Sequence, residues 1–299
     1  MAEGTSMRAV RLRAPGGLDA LVLEQIERPQ LGAGEALVRV HAAAITRDEL
    51  DWPVDRLPAI PSYELSGVVA AVAPGVNDLA AGDAVYALTP FDREGVAADY
   101  AAVPAGVLAP MPRTLDHVEA AALPLAALTA WQGLFEHGRL RAGQRVLIHG
   151  ATGGVGHLAV QLASVRGAYV IGTVSRVDGL SVPGVHELLD AARFDESLDL
   201  VDLVFDTVGG DRLARSPALV GPGGRLVSVA EEPPQTAADA IYFVVEPNRD
   251  QLVELAGLVD AGDLRPAIDS VFPLEDARAA FVRSMAGGKR GKVVLRVSD

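Results

Sequence analysis

Residues 149–156 read HGATGGVG, and they join an apolar run, RVLI, to an alanine-rich run that begins HLAVQLA. Glycines at a strand-to-helix turn permit a tight bend and the close approach of a phosphate. The helix that follows offers free backbone N–H groups and a partial positive charge to an anion. Because Ala151-x-Gly153-x-x-Gly156 stands where dinucleotide-binding turns carry G-x-G-x-x-G, we predict a pyrophosphate site here. Its predicted residues are Thr152, Gly153, Gly154, Val155 and Gly156. A merely tight turn is the alternative interpretation.

Strand-like and helix-like runs alternate along residues 116–265. Apolar strands connected by crossover helices are typical of a buried parallel sheet, so this segment is predicted to be a Rossmann dinucleotide-binding domain. Asp116 and Glu119 form a predicted capping pair at its first helix, which Pro124 interrupts. The predicted strands cover 144–150, 168–175, 201–209, 223–230 and 240–247, and the predicted helices cover 117–123, 125–138, 154–167 and 249–262.

Residues 7–115 contain short strand-like runs separated by turns rich in glycine and proline. Their spacing favours a compact, partly open barrel over strand–helix–strand units. Residues 266–299 are predicted to return to this domain with a helix and a final strand. The sequence therefore predicts an α/β protein of two domains. The strand-like runs cover 7–12, 21–27, 35–45, 66–73, 83–88 and 98–103.

The end of the second predicted Rossmann strand indicates which cofactor would bind. An acidic residue at that position reads the ribose of NAD, whereas this chain has Ser175 and Arg176 there and no carboxylate before Asp178. A hydroxyl and a guanidinium favour a 2′-phosphate, so we predict NADPH. The alternative is that Arg176 is an ordinary solvated arginine. Four residues that follow later strands are also predicted to line the cofactor site: Thr207, Val208, Val229 and Ala230.

Composition excludes several functional classes. The 299 residues carry a formal net charge of −13, which makes nucleic acids and anionic membrane surfaces poor partners. The chain contains no cysteine, so disulfides, cysteine-ligated zinc and thiol nucleophiles are excluded. Together with the lack of an apolar run that could span a bilayer, this leads us to expect a cytoplasmic protein with a small-molecule substrate.

Long stretches of the sequence carry a resemblance: SGVVAAVAPGVNDLAAGDAVYAL, AAALPLAALTAWQGLFEHGRLRAGQRVLIHGATGGVG, VDLVFDTVGG, GPGGRLVSVA and RGKVVLRV. Through them the chain resembles the zinc-free quinone oxidoreductases of the medium-chain dehydrogenase/reductase superfamily, nearly end to end. Enoyl reductase modules of polyketide synthases share the middle stretch. The resemblance implies a GroES-like β-barrel domain plus a Rossmann domain, NADPH as the cofactor, and a homodimer.

The resemblance also bears on metal binding. Zinc-dependent relatives hold zinc with cysteines and with the histidine of a G-H-E motif. This chain has SYE at 62–64, with Tyr63 in the histidine position. Its histidines are scattered without H-x-x-x-H spacing, so no metal site is predicted.

Several further site residues are implied by the resemblance. Thr129 matches a position beside the nicotinamide, and Phe243 and Val245 match a strand whose backbone meets the carboxamide. Thr46, Tyr63 and Thr129 are the candidate catalytic residues, with Asp48 and Glu49 as further polar groups nearby. The chain departs from the family where Thr46 and Arg47 replace Asn-Pro. It also departs over 177–191, which is shorter and ends in Ala191 in place of a tyrosine.

These features predict a zinc-independent enzyme that transfers hydride from NADPH to a quinone or an α,β-unsaturated carbonyl. Two alternatives stay open. One is a polyketide-tailoring enzyme, either an enoyl reductase or a non-redox cyclase. The other is a non-enzymatic sensor that binds NADPH. The apolar run IYFVVEP at 241–247 favours a homodimer, since an unpaired apolar edge strand promotes aggregation.

Overall fold

The computed structural model describes residues 5–15, 17–52, 55–177, 180–196, 198–234 and 239–298. The strands in chain order are β1 (Ser6–Leu12), β2 (Leu21–Glu27), β3 (Glu35–Ile45), β4 (Glu64–Val72), β5 (Ala84–Leu88), β6 (Tyr100–Pro104), β7 (Ala109–Pro110), β8 (Arg145–His149), β9 (Tyr169–Val174), β10 (Glu187–Asp190), β11 (Val201–Asp206), β12 (Val220–Ser228), β13 (Ala240–Tyr242), β14 (Ile268–Pro273) and β15 (Lys292–Arg296). The α-helices are α1 (His117–Ala121), α2 (Pro124–Trp131), α3 (Gly156–Val165), α4 (Asp211–Arg215), α5 (Arg249–Ala261) and α6 (Ala277–Met285).

The chain divides into two compact units. Unit 1 comprises Met1–Leu125, Glu246–Ala261 and Pro266–Asp299, and unit 2 comprises Ala126–Val245 and Gly262–Arg265. Contacts therefore group α1 and α5 with the first strands, whereas the sequence pattern grouped 116–265 together.

Unit 1 is built around β3. In the described part of the chain, its sheet has the order β14-β15-β3-β4-β5-β7, and β6 also pairs with β3. This strand is eleven residues long, so its beginning pairs with β6 while its end pairs with β15. Both faces of β3 are largely buried, and the core around it includes Val38, Leu65, Phe281 and Leu295.

Unit 2 contains the parallel sheet that the sequence predicted. Among the described residues, its strand order is β10-β9-β8-β11-β12-β13, and every pairing is parallel. From β8 the chain first builds outward through β9 and β10, and then crosses to the other side for β11, β12 and β13. The order therefore reverses between β8 and β11, which is where such sheets bind dinucleotides.

Two predicted elements need correction. The predicted strand over 240–247 is paired only as far as Tyr242, because β13 is a short edge strand whose last paired residue lies opposite Ser228. The predicted helix over 125–138 changes after Trp131 into a wider π-helical segment, Gln132–His137. Two short strands, β10 and β14, had no clear sequence signal. By contrast, the capping pair is confirmed, since the Asp116 carboxylate accepts from Glu119 N and the Glu119 carboxylate from Asp116 N.

No helix in the described ranges combines the length and the apolar character needed to cross a bilayer.

Candidate functional site

The glycine turn lies at the carboxyl end of β8, beside the carboxyl end of β11. Gly150 has a φ of 74°, which residues other than glycine rarely adopt. A Cβ there would lie 2.8 Å from Val208 Cγ2 and 2.9 Å from Thr207 Oγ1. The Thr207 hydroxyl donates to the His149 carbonyl at 2.7 Å. The fold thus brings Thr207 and Val208 against the turn.

The first residue of helix α3, Gly156, packs closely against the glycine turn. A Cβ on Gly156 would lie 2.1 Å from the Gly150 carbonyl oxygen, so this position requires glycine. Within the described residues, the N–H groups of Gly154, Val155 and Gly156 donate to no backbone carbonyl, and no side chain caps the helix. Three free donors at the start of a ten-residue helix fit a pyrophosphate.

A buried carboxylate that no sequence motif indicated lies beside this turn. Asp206 ends β11 and is fully buried, and it accepts hydrogen bonds from Val208 N, Gly209 N and Ser228 Oγ. Burial raises the pKa of this carboxyl group above its ordinary value. The signal was an aspartate at the end of an otherwise apolar run, VDLVFD. Asp206 fixes the loop after β11 and, through Ser228, the loop after β12.

The residues after β12 and β13 reach the same edge of the sheet. Val229 N donates to the Asp206 carbonyl at 3.0 Å, and Ala230 N donates to Ser228 Oγ at 3.2 Å. Phe243 and Val245 follow β13 and are both buried. The Phe243 ring lies 4.3 Å from that of His137 at the end of the π-helical segment.

Three other predicted cofactor contacts have contrasting exposures. Ser175 and Arg176 follow β9 and are exposed. Asp178 lies outside the described residues. Thr129 lies within α2 and is buried, with 4% of its surface exposed.

His149 is a structural residue of this unit. It is fully buried, with Nδ1 3.1 Å from Thr173 Oγ1 and Nε2 2.9 Å from Ser216 Oγ. Burial lowers the pKa of its imidazole to about 3, so the ring is neutral near pH 7. It joins β8, β9 and the turn after α4, which accounts for a histidine beside the glycine motif.

In unit 1, the carboxyl group of Glu49 joins two of the predicted catalytic segments. Its Oε2 accepts from Thr46 N at 2.9 Å and its Oε1 from Ser62 N at 3.1 Å. Ser62, which precedes Tyr63, has a φ of 66°, a strained value for serine. Burial raises the pKa of Glu49 to about 8, against the opposing effect of the two N–H donors. Glu49 therefore positions both Thr46 and Tyr63.

Tyr63 is fully buried beside two further aromatic rings. Its ring centroid lies 5.8 Å from Trp52 and 5.3 Å from Phe91. Arg56 donates to the Tyr63 hydroxyl at 3.3 Å, while burial raises the pKa of this phenol. Because a guanidinium can only donate, the Tyr63 oxygen accepts here and its own proton is left for another partner.

Comparison with known proteins gives two family matches. Residues 32–113 match the alcohol dehydrogenase GroES-like domain, and residues 184–295 match the zinc-binding dehydrogenase family.

Full-length relatives agree with these matches. The chain is 33% identical to a probable zinc-binding oxidoreductase, mitochondrial, of Arthroderma benhamiae, over 99% of this chain and 100% of the relative. It is 32% identical to the NADPH-dependent alkenal/one oxidoreductase, chloroplastic, of Arabidopsis thaliana, over 94% of this chain and 77% of the relative. The solved structure of the quinone oxidoreductase from Coxiella burnetii matches with a TM-score of 0.89 and 29% identity, over 98% of this chain and 99% of that one. The fold therefore consists of a GroES-like N-terminal domain and a Rossmann-like parallel sheet.

The zinc named in two of these descriptions does not fit the residues present. The chain has no cysteine, and the described residues contain no group of three or more His, Asp or Glu that could hold a metal ion. Tyr63 is bound to a guanidinium, and the Glu64 carboxylate is paired with the ammonium of Lys292 at 2.5 Å. A metal cation at this point would face fixed positive charges.

Proposed function

Because this chain is a quinone oxidoreductase-like member of the medium-chain dehydrogenase/reductase superfamily, and thus an oxidoreductase, we propose that it reduces a quinone or an α,β-unsaturated carbonyl with NADPH and without zinc. The observation that carries this proposal is the glycine turn at the point where the strand order reverses, with three free N–H groups at the start of α3. The substrate is a small molecule; the charge of −13 makes nucleic acid or an anionic membrane a poor partner.

The cofactor contacts are proposed in unit 2. The N–H groups at 154–156 would bind the pyrophosphate, with Thr152 and Gly153 completing the turn. Ser175 and Arg176 would bind the 2′-phosphate, which accounts for their exposure. Thr207, Val208, Val229 and Ala230 would line the site at the strand ends. Thr129 and the backbone of Phe243 and Val245 would orient the nicotinamide.

The acceptor contacts are proposed in unit 1. When bound, NADPH supplies a hydride to the β-carbon of an enone, or the two electrons that reduce a quinone; the reduced acceptor takes up the balancing proton or protons from solvent. The hydroxyl group of Thr46, which is partly exposed, would hold the acceptor oxygen by a hydrogen bond. Tyr63 is fully buried, so its hydroxyl would become a second donor only if binding of the acceptor uncovers it. Negative charge forms on this oxygen as the hydride adds, and such preorganised donors stabilise it.

The test is a panel of quinones and enones offered with NADPH or NADH, with identification of the products. We expect NADPH oxidation matched by an equal amount of reduced acceptor. Elemental analysis should find far less than one zinc per chain, and a chelator should leave the rate unchanged. Cofactor binding without turnover on any acceptor would favour the sensor alternative, whereas a rearranged product with no NADPH oxidised would favour a cyclase.

We also propose a homodimer formed through the edge of the parallel sheet. Strand β13 lies at this edge, and Tyr242 and Val244 are large side chains with 42% and 59% of their surface exposed. Pairing with the same strand of a second copy would cover both.

A further inference from the structure

A buried ammonium lies next to Thr46. Strand β15 runs antiparallel to β3 with Val293 opposite Ile45, so the next pair along this register is Lys292 and Thr46. The Lys292 Nζ atom lies 3.3 Å from Thr46 Oγ1, and it pairs with Glu64 Oε1 from β4 at 2.5 Å. The Lys292 and Glu64 side chains are only 5% and 1% exposed. No motif in the sequence indicated a role for Lys292.

The ammonium is held in place from several directions. The second oxygen of Glu64 accepts from Leu125 N at 2.9 Å, which fixes the carboxylate. The Lys292 N–H donates to the Ala267 carbonyl at 2.9 Å. The preceding residue, Gly291, has a φ of 84°, and a Cβ there would lie 2.0 Å from the same carbonyl oxygen. These backbone contacts therefore fix the position of Lys292.

This contact determines which hydrogen bonds the Thr46 hydroxyl accepts and which it donates. A protonated lysine donates and cannot accept, so Thr46 Oγ1 is the acceptor of their hydrogen bond. The hydroxyl proton of Thr46 is then directed to some other acceptor. Thr46 itself is partly exposed, and its backbone is fixed by Glu49. The result is a hydrogen-bond donor with a fixed cation behind it.

We propose that Lys292 is a positioning residue of the reductase: held by Glu64, it turns the Thr46 hydroxyl into a donor toward the acceptor oxygen and stabilises the negative charge that forms there. The inference rests on the proposed function and deepens it. Lys292 supplies, through a hydroxyl, a positive charge near the reacting oxygen in a chain whose described residues offer no metal site. The competing account is that Lys292 does no more than neutralise buried Glu64.

A double-mutant cycle separates these accounts. Removing one member of a buried ion pair leaves an uncompensated charge, so both are replaced together as Glu64→Gln with Lys292→Met. This pair variant is made in the natural chain and in Thr46→Val, and hydride transfer is measured in single turnovers with saturating cofactor. We expect the pair variant to slow transfer about tenfold to a hundredfold in the natural chain and less than about twofold in Thr46→Val. Equal losses in both backgrounds would overturn the inference. Lys292→Arg keeps the positive charge, so its rate of hydride transfer should lie between those of the natural chain and the pair variant.

A second measurement does not depend on hydride transfer. The phenolate oxygen of p-nitrophenol stands in for the charged oxygen, and its ionisation is read from visible absorbance in the presence of the oxidised cofactor. We expect the natural protein to bind the phenolate about tenfold more tightly than the phenol, with this preference lost in Thr46→Val and in the pair variant. No preference in the natural protein, or an unchanged one in Thr46→Val, would overturn the inference. A natural protein that binds phenolate but reduces no acceptor would instead contradict the proposed function.

Discussion

The imidazole rings of His41 and His117 stack with their centroids 4.2 Å apart and 22° between their planes. His41 lies on β3 and His117 opens α1, where its Nδ1 lies 2.8 Å from Ser66 Oγ. Burial lowers the pKa of both rings, that of His41 to about 4. The stack therefore attaches α1 to the sheet of unit 1 in its neutral form.

The first prediction is that acid weakens this attachment. Below about pH 6.5 an unfolded histidine binds a proton, whereas folded His41 resists protonation down to about pH 4. The unfolded state then binds more protons, so the free energy of unfolding should fall by up to about 3 kcal/mol across this interval. In denaturant titrations between about pH 4 and pH 6.5, His41→Phe should flatten the acid side of the profile. An unchanged slope in His41→Phe would contradict the assignment.

The second prediction concerns Glu49, whose effect on the pH dependence of stability is opposite in sign to that of His41. Its pKa is about 8 in the folded protein against about 4.5 when unfolded, so the folded state binds the extra proton. Its contribution to stability should be present below about pH 4.5 and be lost as the pH rises to about 8. As the pH rises across this interval, the free energy of unfolding of Glu49→Gln should therefore increase relative to that of the natural chain, by on the order of 1–4 kcal/mol.

The measurement is a series of denaturant titrations of Glu49→Gln and of the natural chain between about pH 4.5 and pH 8. A difference in unfolding free energy that stays constant over this range would show that Glu49 does not hold its proton in the folded protein.

The third prediction is that Arg176 selects NADPH. Arg176→Ala should weaken NADPH binding by about 1–3 kcal/mol, because hydrogen bonds to charged groups are of this size, and leave NADH nearly unaffected. Fluorescence titration measures both affinities. Arg141→Ala removes another exposed arginine of unit 2 and serves as the matched control. Equal losses for the two cofactors would remove Arg176 from the site.

The fourth prediction is that Thr129 acts on the cofactor or the acceptor. Thr129→Val preserves the shape of this buried side chain and deletes one hydroxyl. We expect a loss of about tenfold to a hundredfold in single-turnover hydride transfer with saturating NADPH, while the unfolding midpoint changes little. A threonine within a helix can instead bond back to its own turn. In that case stability would shift and the rate would not.

The fifth prediction is a dimer in solution. Light scattering at micromolar concentration should give about twice the chain mass. Val244→Asp places a charge on the exposed segment after β13 and should shift the equilibrium toward the monomer. Val282→Asp, at an exposed position on α6 of unit 1, is the control and should leave the mass unchanged. A monomeric natural protein would contradict the proposed interface.

Local patterns in the sequence predicted what local physics determines. The capping pair Asp116 and Glu119, the glycine turn and the alternation of unit 2 all depend on residues within a few positions of each other. The ion pair of Glu64 and Lys292 depends on the register of β3 against two other strands, and no short pattern encodes it. No short pattern encodes the hydrogen bond from Arg56 to the Tyr63 hydroxyl either. Glu49 was predicted to lie near Thr46, but its bond to the strained Ser62 depends on backbone geometry.

The position of β15 has a consequence for how the chain is synthesised. Translation delivers unit 2 almost entirely as one continuous stretch, Ala126–Val245, before strand β15 of unit 1 is made. The end of β3 remains without this neighbour while the parallel sheet is being synthesised. Lys292 therefore reaches Thr46 only after the whole of that sheet has been translated. A product truncated before residue 292 would carry the entire glycine turn and still lack its buried ammonium.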